Sequence, residues 1–337
     1  MTGAAVLDMS AAFESGLFLP AEKGQKRTCD GYLGCDVGSV SAKMVVIDDD
    51  TNILAKTYLH NRNLIETVKH GLAELESQSD GVEIRSVGCA GSGRALMMLI
   101  LGGDIKKTEI LAHTTGALHY YPAVNTIFDI GGEDCKIITL EDGVWKNYIM
   151  NNICGAGTGA MIESIAGALN VNIEDVGDLA LESKIELGFP GKCGVLCQSA
   201  VVSRKNKGAR NEDILMGVCR ALINNYLTLA KSIELKPPYV FEGATARNKA
   251  LVKALEEQLG HEVLVPEYCE SMGAIGMAIL ARDNTPEETR FRGFRIKDLD
   301  IRTETFVCGD CPNGCEVTRI PIGDEVSYLD SKCGKYT

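Results

Sequence analysis

The stretch Tyr32-Leu33-Gly34-Cys35-Asp36-Val37-Gly38-Ser39-Val40-Ser41-Ala42-Lys43-Met44-Val45-Val46-Ile47-Asp48 decides how this chain folds. Tyr32 to Val37 is a buried-type strand and Lys43 to Asp48 a second, joined by the small-residue turn Gly38 to Ala42, so the unit is a β-hairpin. Asp36-x-Gly38-Ser39-x-Ser41-x-Lys43 sits in that turn. Backbone N–H groups, two hydroxyls and an ammonium gathered there suit a polyphosphate, as anion nests do. Asp36, at the strand end, can hold Mg²⁺ directly or through water, since that ion takes few carboxylates and keeps several waters. Alone, the same residues also make a plain Gly-Ser hairpin turn.

A second copy further along adds weight. Asn125 to Ile130 is a strand that runs into Gly131-Gly132-Glu133-Asp134, and Cys135 to Glu141 pairs with it across the turn. Asp129 then stands where Asp36 stood, a weak internal repeat. Two apposed turns, each with an acid and glycines, would clamp Mg-phosphate from opposite sides. Around them, Ile53–Leu59, Ile84–Ala90, Val144–Met150, Tyr239–Glu242 and Glu262–Val265 read as strands. Leu64–Gln78, Gly159–Leu169, Asn211–Ile233, Asn248–Leu259 and Gly273–Arg282 carry helical apolar spacing. Residues 1–29 are an N-terminal extension, 30–118 a first lobe, 119–282 a second, and 283–337 a charged, turn-rich and Cys-rich tail.

Composition bounds the function. The 337 residues carry 34 Lys+Arg against 46 Asp+Glu, a net charge of −12, which argues against a nucleic-acid binder because phosphate backbones are held by clustered Lys and Arg. No apolar run reaches the roughly 18 residues of a membrane span. Met1 to Leu19 lacks a basic region followed by a long apolar stretch, so a cytoplasmic protein without signal peptide is expected. The 13 cysteines are then reduced thiols, some of them metal or cluster ligands and most of them small buried hydrophobes.

A third element, Val240-Phe241-Glu242-Gly243-Ala244-Thr245-Ala246-Arg247-Asn248, opens a helix after a strand. Small residues there let a purine lie against the backbone, with Gly243, Ala244 and Asn248 as its contacts. No Gly-x-x-x-x-Gly-Lys-[Ser/Thr] loop and no Gly-x-Gly-x-x-Gly after a strand is present, so P-loop and Rossmann readings fail. The order of strand pair, phosphate turn, strand pair, phosphate turn and adenosine turn resembles the actin-like ATPase superfold of actin, sugar kinases and large heat-shock chaperones. That likeness implies an α/β chain of two lobes around a nucleotide cleft.

Two cysteine segments narrow the resemblance. Asn152-Ile153-Cys154-Gly155-Ala156-Gly157-Thr158-Gly159 precedes one helix, and Cys193-Gly194-Val195-Leu196-Cys197-Gln198-Ser199 precedes another. Both thiols stand at or near helix N-termini, which favour thiolates and anions. From spacing alone, Cys154 packing in a glycine-rich turn is the plainer reading. With the phosphate turns, however, these segments resemble the activator family of 2-hydroxyacyl-CoA dehydratases, which includes the ATPase subunits of benzoyl-CoA reductase. The similarity runs from about Gly31 to Arg282.

That resemblance implies a homodimeric, oxygen-sensitive ATPase with one [4Fe–4S] cluster between protomers, held by Cys154 and Cys193 of each. ATP, turned over to ADP, would drive a low-potential electron from a donor such as ferredoxin or flavodoxin into an iron–sulfur partner. The partner would be a 2-hydroxyacyl-CoA dehydratase, an aryl-CoA reductase or a double-cluster protein. Asp36 and Asp129 would position Mg²⁺ and Lys43 would contact phosphate. Gly38, Ser39, Ser41, Gly131, Gly132, Gly157 and Thr158 would line the nucleotide, and Glu133 or Asp134 would handle water. Three departures stand out: Glu133 where Gln is common, Glu242-Gly243 where Gly-Gly is usual, and the extra thiol Cys197 beside Cys193.

Cys308-x-x-Cys311-x-x-x-Cys315, with Cys333 beyond, is a metal signal that needs no family. Four thiols with a tight first pair can close a Zn²⁺ site or hold a second iron–sulfur cluster, and Pro312-Asn313-Gly314 supplies the turn that lets them converge. Two other functions fit the same residues: an amino-sugar kinase on the same superfold, which would not need Cys154, and a metal-binding regulator in which the tail dominates.

Overall fold

The computed structural model describes residues 29–151, 158–191, 193–323 and 325–336. The first sheet is built from β1 (Cys29–Val37), β2 (Ser41–Ile47), β3 (Ile53–His60), β4 (Val82–Ala90) and β5 (Ile105–Lys106), in the order β3-β2-β1-β4-β5. Helix α1 (Leu64–Gln78) links β3 to β4, and α2 (Arg94–Leu101) follows β4. β1 to β3 pair antiparallel, while β4 and β5 run parallel to β1.

After α3 (Glu109–Tyr120) the pattern repeats. The second sheet holds β6 (Thr126–Ile130), β7 (Cys135–Glu141), β8 (Val144–Met150), β9 (Tyr239–Glu242) and β10 (Val263–Leu264), in the order β10-β9-β6-β7-β8. Strand for strand this is the first sheet again, with the same directions. Between β8 and β9 lie α4 (Gly159–Leu169), α5 (Val176–Leu181), α6 (Gly194–Asn206) and α7 (Asn211–Leu229); α8 (Lys249–Leu259) joins β9 to β10, and α9 (Met272–Asp283) follows. The repeat seen in two acids therefore extends to the whole sheet topology.

Each lobe has its own core. Phe128, Ile137, Ile165, Leu222 and Leu255 centre the second, and Leu33, Met44, Leu72, Val87 and Leu101 the first. The chain crosses between them twice. Ala117 of α3 packs with Ile127, Ile138 and Val240 of the second sheet, whereas Ala274, Ile275, Ala278 and Ile279 of α9 pack with Tyr32, Val45 and Ile47 of the first. The two helices lie against each other along a seam of small residues. A Cβ on Gly276 of α9 would stand 2.8 Å from the Gly116 nitrogen of α3, and one on Gly34 of β1 would stand 2.9 Å from the Ala278 Cα.

The C-terminal stretch forms a third sheet, β11 (Glu304–Val307), β12 (Glu316–Ile322) and β13 (Glu325–Leu329), in that order and antiparallel. It is not set apart from the lobes. Ile296, Ile301, Ile320 and Ile322 join the first lobe's core. Burying Ile320 and Ile322 alone contributes about 3–6 kcal/mol, which three short strands could not gain by themselves. No helix among the described residues is long and apolar enough to cross a membrane.

Candidate functional site

The two glycine turns meet across the cleft. In the first, the Gly38 N–H donates to the Ser41 carbonyl at 2.9 Å, and Asn61 braces the turn by donating its Nδ2 to the Gly38 carbonyl at 2.9 Å. In the second, the Gly131 N–H donates to the Asp134 carbonyl at 2.8 Å. Ser39 Oγ of the first turn donates to Glu133 Oε2 of the second at 2.8 Å. The third turn closes the floor: Gly243 has φ +89°, and Thr245 Oγ1 donates to the Ile130 carbonyl at 2.7 Å. A Cβ on Gly243 would stand 2.8 Å from Asp129 Oδ1, so both its conformation and its contact require glycine.

Asp36, Gly38, Ser39, Ser41, Lys43, Asp129, Gly131, Gly132, Glu133, Asp134, Gly243 and Ala244 line one cavity of about 150 Å³. Of the expected nucleotide residues, Asn248 does something else: its Oδ1 accepts from the Ala250 and Leu251 N–H groups and caps α8. Thr158 is buried at the start of α4. Cys154 and Gly157 lie outside the described residues.

The site's charges are arranged twice over. Lys43 stands directly opposite Asp36 in the β1–β2 ladder, and Lys136 directly opposite Asp129 in the β6–β7 ladder. Each ammonium lies 3.2 Å from its partner's Oδ2. Lys136, 1% exposed, also meets Asp134 at 2.9 Å and Glu109 of α3. His113 of α3 bridges the pairs: Nδ1 is 2.7 Å from Glu242 Oε1, and Nε2 is 3.7 Å from Asp129 and 4.0 Å from Asp36.

Burial alone would raise both aspartates. It is outweighed at Asp36 by Lys43 and His113, and at Asp129 by His113 and Lys136, so both carboxyls sit below their usual range. Burial would likewise lower the two lysines, but the facing carboxylates hold both above the ordinary value. His113 is pushed down by burial and more strongly up by Asp129, Glu242 and Asp36, to about 10. Burial raises Glu242 to about 7, against the pull of His113. Two ionised carboxylates thus face each other across the cavity, with a cation behind each.

Glu109, His113 and Lys136 escaped the sequence reading. Glu109 and His113 ride on α3, whose Thr114-Thr115-Gly116 centre hides its helical character. Lys136 did leave a signal, since Asp36 to Lys43 and Asp129 to Lys136 have the same spacing. Among the described residues, Glu109, His113 and Asp129 are the group whose donor atoms all lie within 4.8 Å of one another.

The cysteine segments attach to this site at one point. Gly159 and Ala160, opening α4, donate their N–H groups to the Gly131 and Gly132 carbonyls at 2.9 and 2.8 Å. Cys193 is the N-cap residue of α6 and half-buried, followed by exposed Val195 (72%) and Leu196 (59%). Cys197, one turn on, points into the second lobe's core, and burial raises its thiol to about 11. In the tail, Cys308 and Cys315 are buried, Cys311 is half-buried and Cys333 exposed. Cys308, Cys311 and Cys315 lie at the turn between β11 and β12, and no three of the four sulfurs lie within 4.8 Å of one another.

Comparison with known proteins agrees with this geometry. The chain is 30% identical over 257 residues, 74% of itself and 96% of the relative, to the (R)-2-hydroxyglutaryl-CoA dehydratase activating ATPase of Acidaminococcus fermentans. It is 28% identical, over 77% of itself and 97% of the relative, to the 2-hydroxyisocaproyl-CoA dehydratase activator of Clostridioides difficile. The solved structure of (R)-2-hydroxyglutaryl-CoA dehydratase component A of Acidaminococcus fermentans superimposes with TM-score 0.72 at 29% identity, covering 76% of this chain and 98% of that one. The structure of the second, bound to ADPNP, gives TM-score 0.72 at 28% identity, covering 76% and 95%. The ethanolamine utilization protein EutJ of Carboxydothermus hydrogenoformans shares the fold at 17% identity and TM-score 0.53, with 76% and 91% covered. With two like sheets closing on paired aspartates, and a sequence match over residues 33–281, the chain belongs to the BadF/BadG/BcrA/BcrD ATPase family.

Proposed function

We propose that this protein is the ATP-hydrolysing activator of an iron–sulfur enzyme acting on acyl-CoA substrates, working as a homodimer in the cytoplasm. The observation that carries the proposal is the hydrogen-bonded junction between the Gly131-Gly132 turn and the start of α4. A turn that shifts when it grips or releases a phosphate shifts the chain leading from Cys154 with it.

Mg²⁺ fits the residues present, because Asp36 and Asp129 are both held ionised and face one cavity. Bound there, it would neutralise phosphate charge. The chain's own groups do the rest. Backbone N–H groups of the two turns and the Lys43 ammonium hold the phosphates, while Glu133 or Asp134 accepts a hydrogen bond from the attacking water. Lys136 and His113 stand behind the acids and keep them charged.

A [4Fe–4S] cluster fits on the side that is described. Cys193 is a half-exposed thiol at a helix N-terminus, next to exposed apolar residues that a second protomer can cover. With Cys154, two thiols per chain make four per dimer, and the cluster would supply one-electron transfer to the partner.

The test is anaerobic purification with iron, sulfide and EPR analysis, then ATPase assays with and without amino sugars. About four irons per dimer and sugar-independent ATP turnover are expected. A cluster that survives Cys154→Ser removes the bridging assignment, and sugar-dependent turnover would make the protein a kinase instead.

A further inference from the structure

The tail's four cysteines lie beyond residue 281, where the family match ends, and play no part in the reading above. The strand register brings the segments that carry them to one end of the third sheet. Cys308 directly follows β11 and Cys315 directly precedes β12. The ladder pairs Val307 with Glu316, and the next step joins Cys308 to Cys315 through the Cys308 N–H and the Cys315 carbonyl at 2.8 Å. Cys311 sits in the loop between them, where the Gly314 N–H closes a turn on its carbonyl at 3.4 Å.

β13 then runs antiparallel to β12 with Leu329 opposite Thr318, so its far end returns to the end that carries Cys315. The last residues fold back over that end. The Tyr336 ring packs on Phe306 and Tyr328 at 5.3 and 5.1 Å, its N–H donates to Ser331 Oγ at 3.3 Å, and the Lys335 ammonium meets the Asp310 carboxylate. Cys333 stands two residues before Lys335, whose ammonium reaches Asp310 of the 308–311 loop.

We propose that Cys308, Cys311, Cys315 and Cys333 bind one Zn²⁺ as four thiolates. Directly opposed residues on a strand pair hold their Cβ atoms about 4.5–5.5 Å apart. That suits sulfurs about 3.8 Å apart, the edge of a tetrahedron with Zn–S bonds of about 2.3 Å. A cuboidal cluster spreads its ligands more widely. All four cysteines are free, and Cys308 donates its thiol proton to Asp310 Oδ2 at 3.4 Å. Zinc displaces that proton and three others, with no change of oxidation state, and Cys311 and Cys333 close in from the loop and the last turn. The packing at this end consists of little more than Val317, Phe306, Tyr328 and Tyr336 around Cys308 and Cys315, the kind of small core that a metal completes. Because Ile320 and Ile322 of the same sheet lie in the first lobe, the zinc fastens the chain's end to the nucleotide-binding body.

The proposal is tested on the full chain by metal analysis and Co²⁺ substitution. Wild-type protein should hold about one zinc per chain, and Cys308→Ser/Cys311→Ser about none, with equal iron in both. Cys333→Ser changes an exposed side chain, so it should fold normally. It should bind Co²⁺ with a thiolate charge-transfer band reduced by about a quarter and release it to a chelator that the wild type resists. A wild type without zinc, zinc retained in the double variant, iron and sulfide lost with the tail cysteines, or a Cys308–Cys315 disulfide in anaerobically alkylated protein would each overturn it.

Discussion

Lys136→Met tests the electrostatic arrangement at its most buried point. The ammonium is 1% exposed and serves Asp129 at 3.2 Å, Asp134 at 2.9 Å and Glu109. Methionine keeps the side chain's length and apolar packing, so the change isolates the charge. Removing one partner of a buried pair costs about 3–5 kcal/mol, because the other charge is left in a poorly polarisable surrounding. At about 2–4 °C per kcal/mol, that predicts a fall in Tm of about 6–20 °C for the nucleotide-free protein. Lys43→Met is the internal control. Its ammonium is 18% exposed and among the described residues forms its ion pair with Asp36 alone, so a loss of about 1.5–3 kcal/mol is expected. The Lys136 variant should also gain more from Mg²⁺ than the wild type, since Asp129 and Glu109 are then free to take a divalent cation. The assay is differential scanning fluorimetry with and without Mg²⁺. A Lys136→Met protein that melts with the wild type in both buffers would refute the reasoning.

The folded-state acidities set a pH profile. Asp36 and Asp129, held below their usual range, contribute stability that is present above about pH 3.9 and lost as pH falls through their folded values. His113 and Glu242 are raised, to about 10 and about 7, so the folded state holds extra protons and stability declines as pH rises from about 4.5 toward 10. The nucleotide-free Tm should therefore peak on the acidic side, and His113→Gln should flatten the alkaline limb in a melt series across pH. Cys193→Ser should abolish iron retention, while Cys197→Ala, in the core, should keep iron and lose about 1–2 kcal/mol in urea unfolding. Gly243→Ala forces a left-handed backbone onto a residue with a Cβ and presses that atom on Asp129, so it should cost about 2–4 kcal/mol and weaken nucleotide binding measured by calorimetry.

Most of the frame was legible because the central strands β1, β2, β6, β7 and β9 are buried on both faces, and β1, β6 and β9 run into glycine turns. The expected α1, β7, β8, β9 and α4 match the observed ranges, and β1 merely starts earlier, at Cys29. The short elements β5 and α5 and the tail strands β11 to β13 escaped, as did α2 and α3, whose residues favour helix least clearly: a short apolar run, and a segment with two threonines and a glycine at its centre. Their helicity comes from packing. For α3 the partner is α9, distant in sequence, so no local window contains the cause. The site followed the same rule. The acids and the glycine turns were readable from local spacing, whereas His113 and Glu109 enter through tertiary pairs with Glu242 of β9 and Lys136 of β7. The tail's attachment to the first lobe was hidden for the same reason, since four isoleucines spread over Ile296 to Ile322 carry no address.

The glycine-lined seam between α3 and α9 has a consequence for timing. Helices that interlock through large side chains must change rotamers to slide, whereas backbones in contact at Gly116 and Gly276 have few knobs to lift. The friction between the lobes is then small. Any opening and closing of the lobes would then be paced by the polar bonds that span the cleft, Ser39 to Glu133 among them, as a lightly sprung latch is paced by its catch.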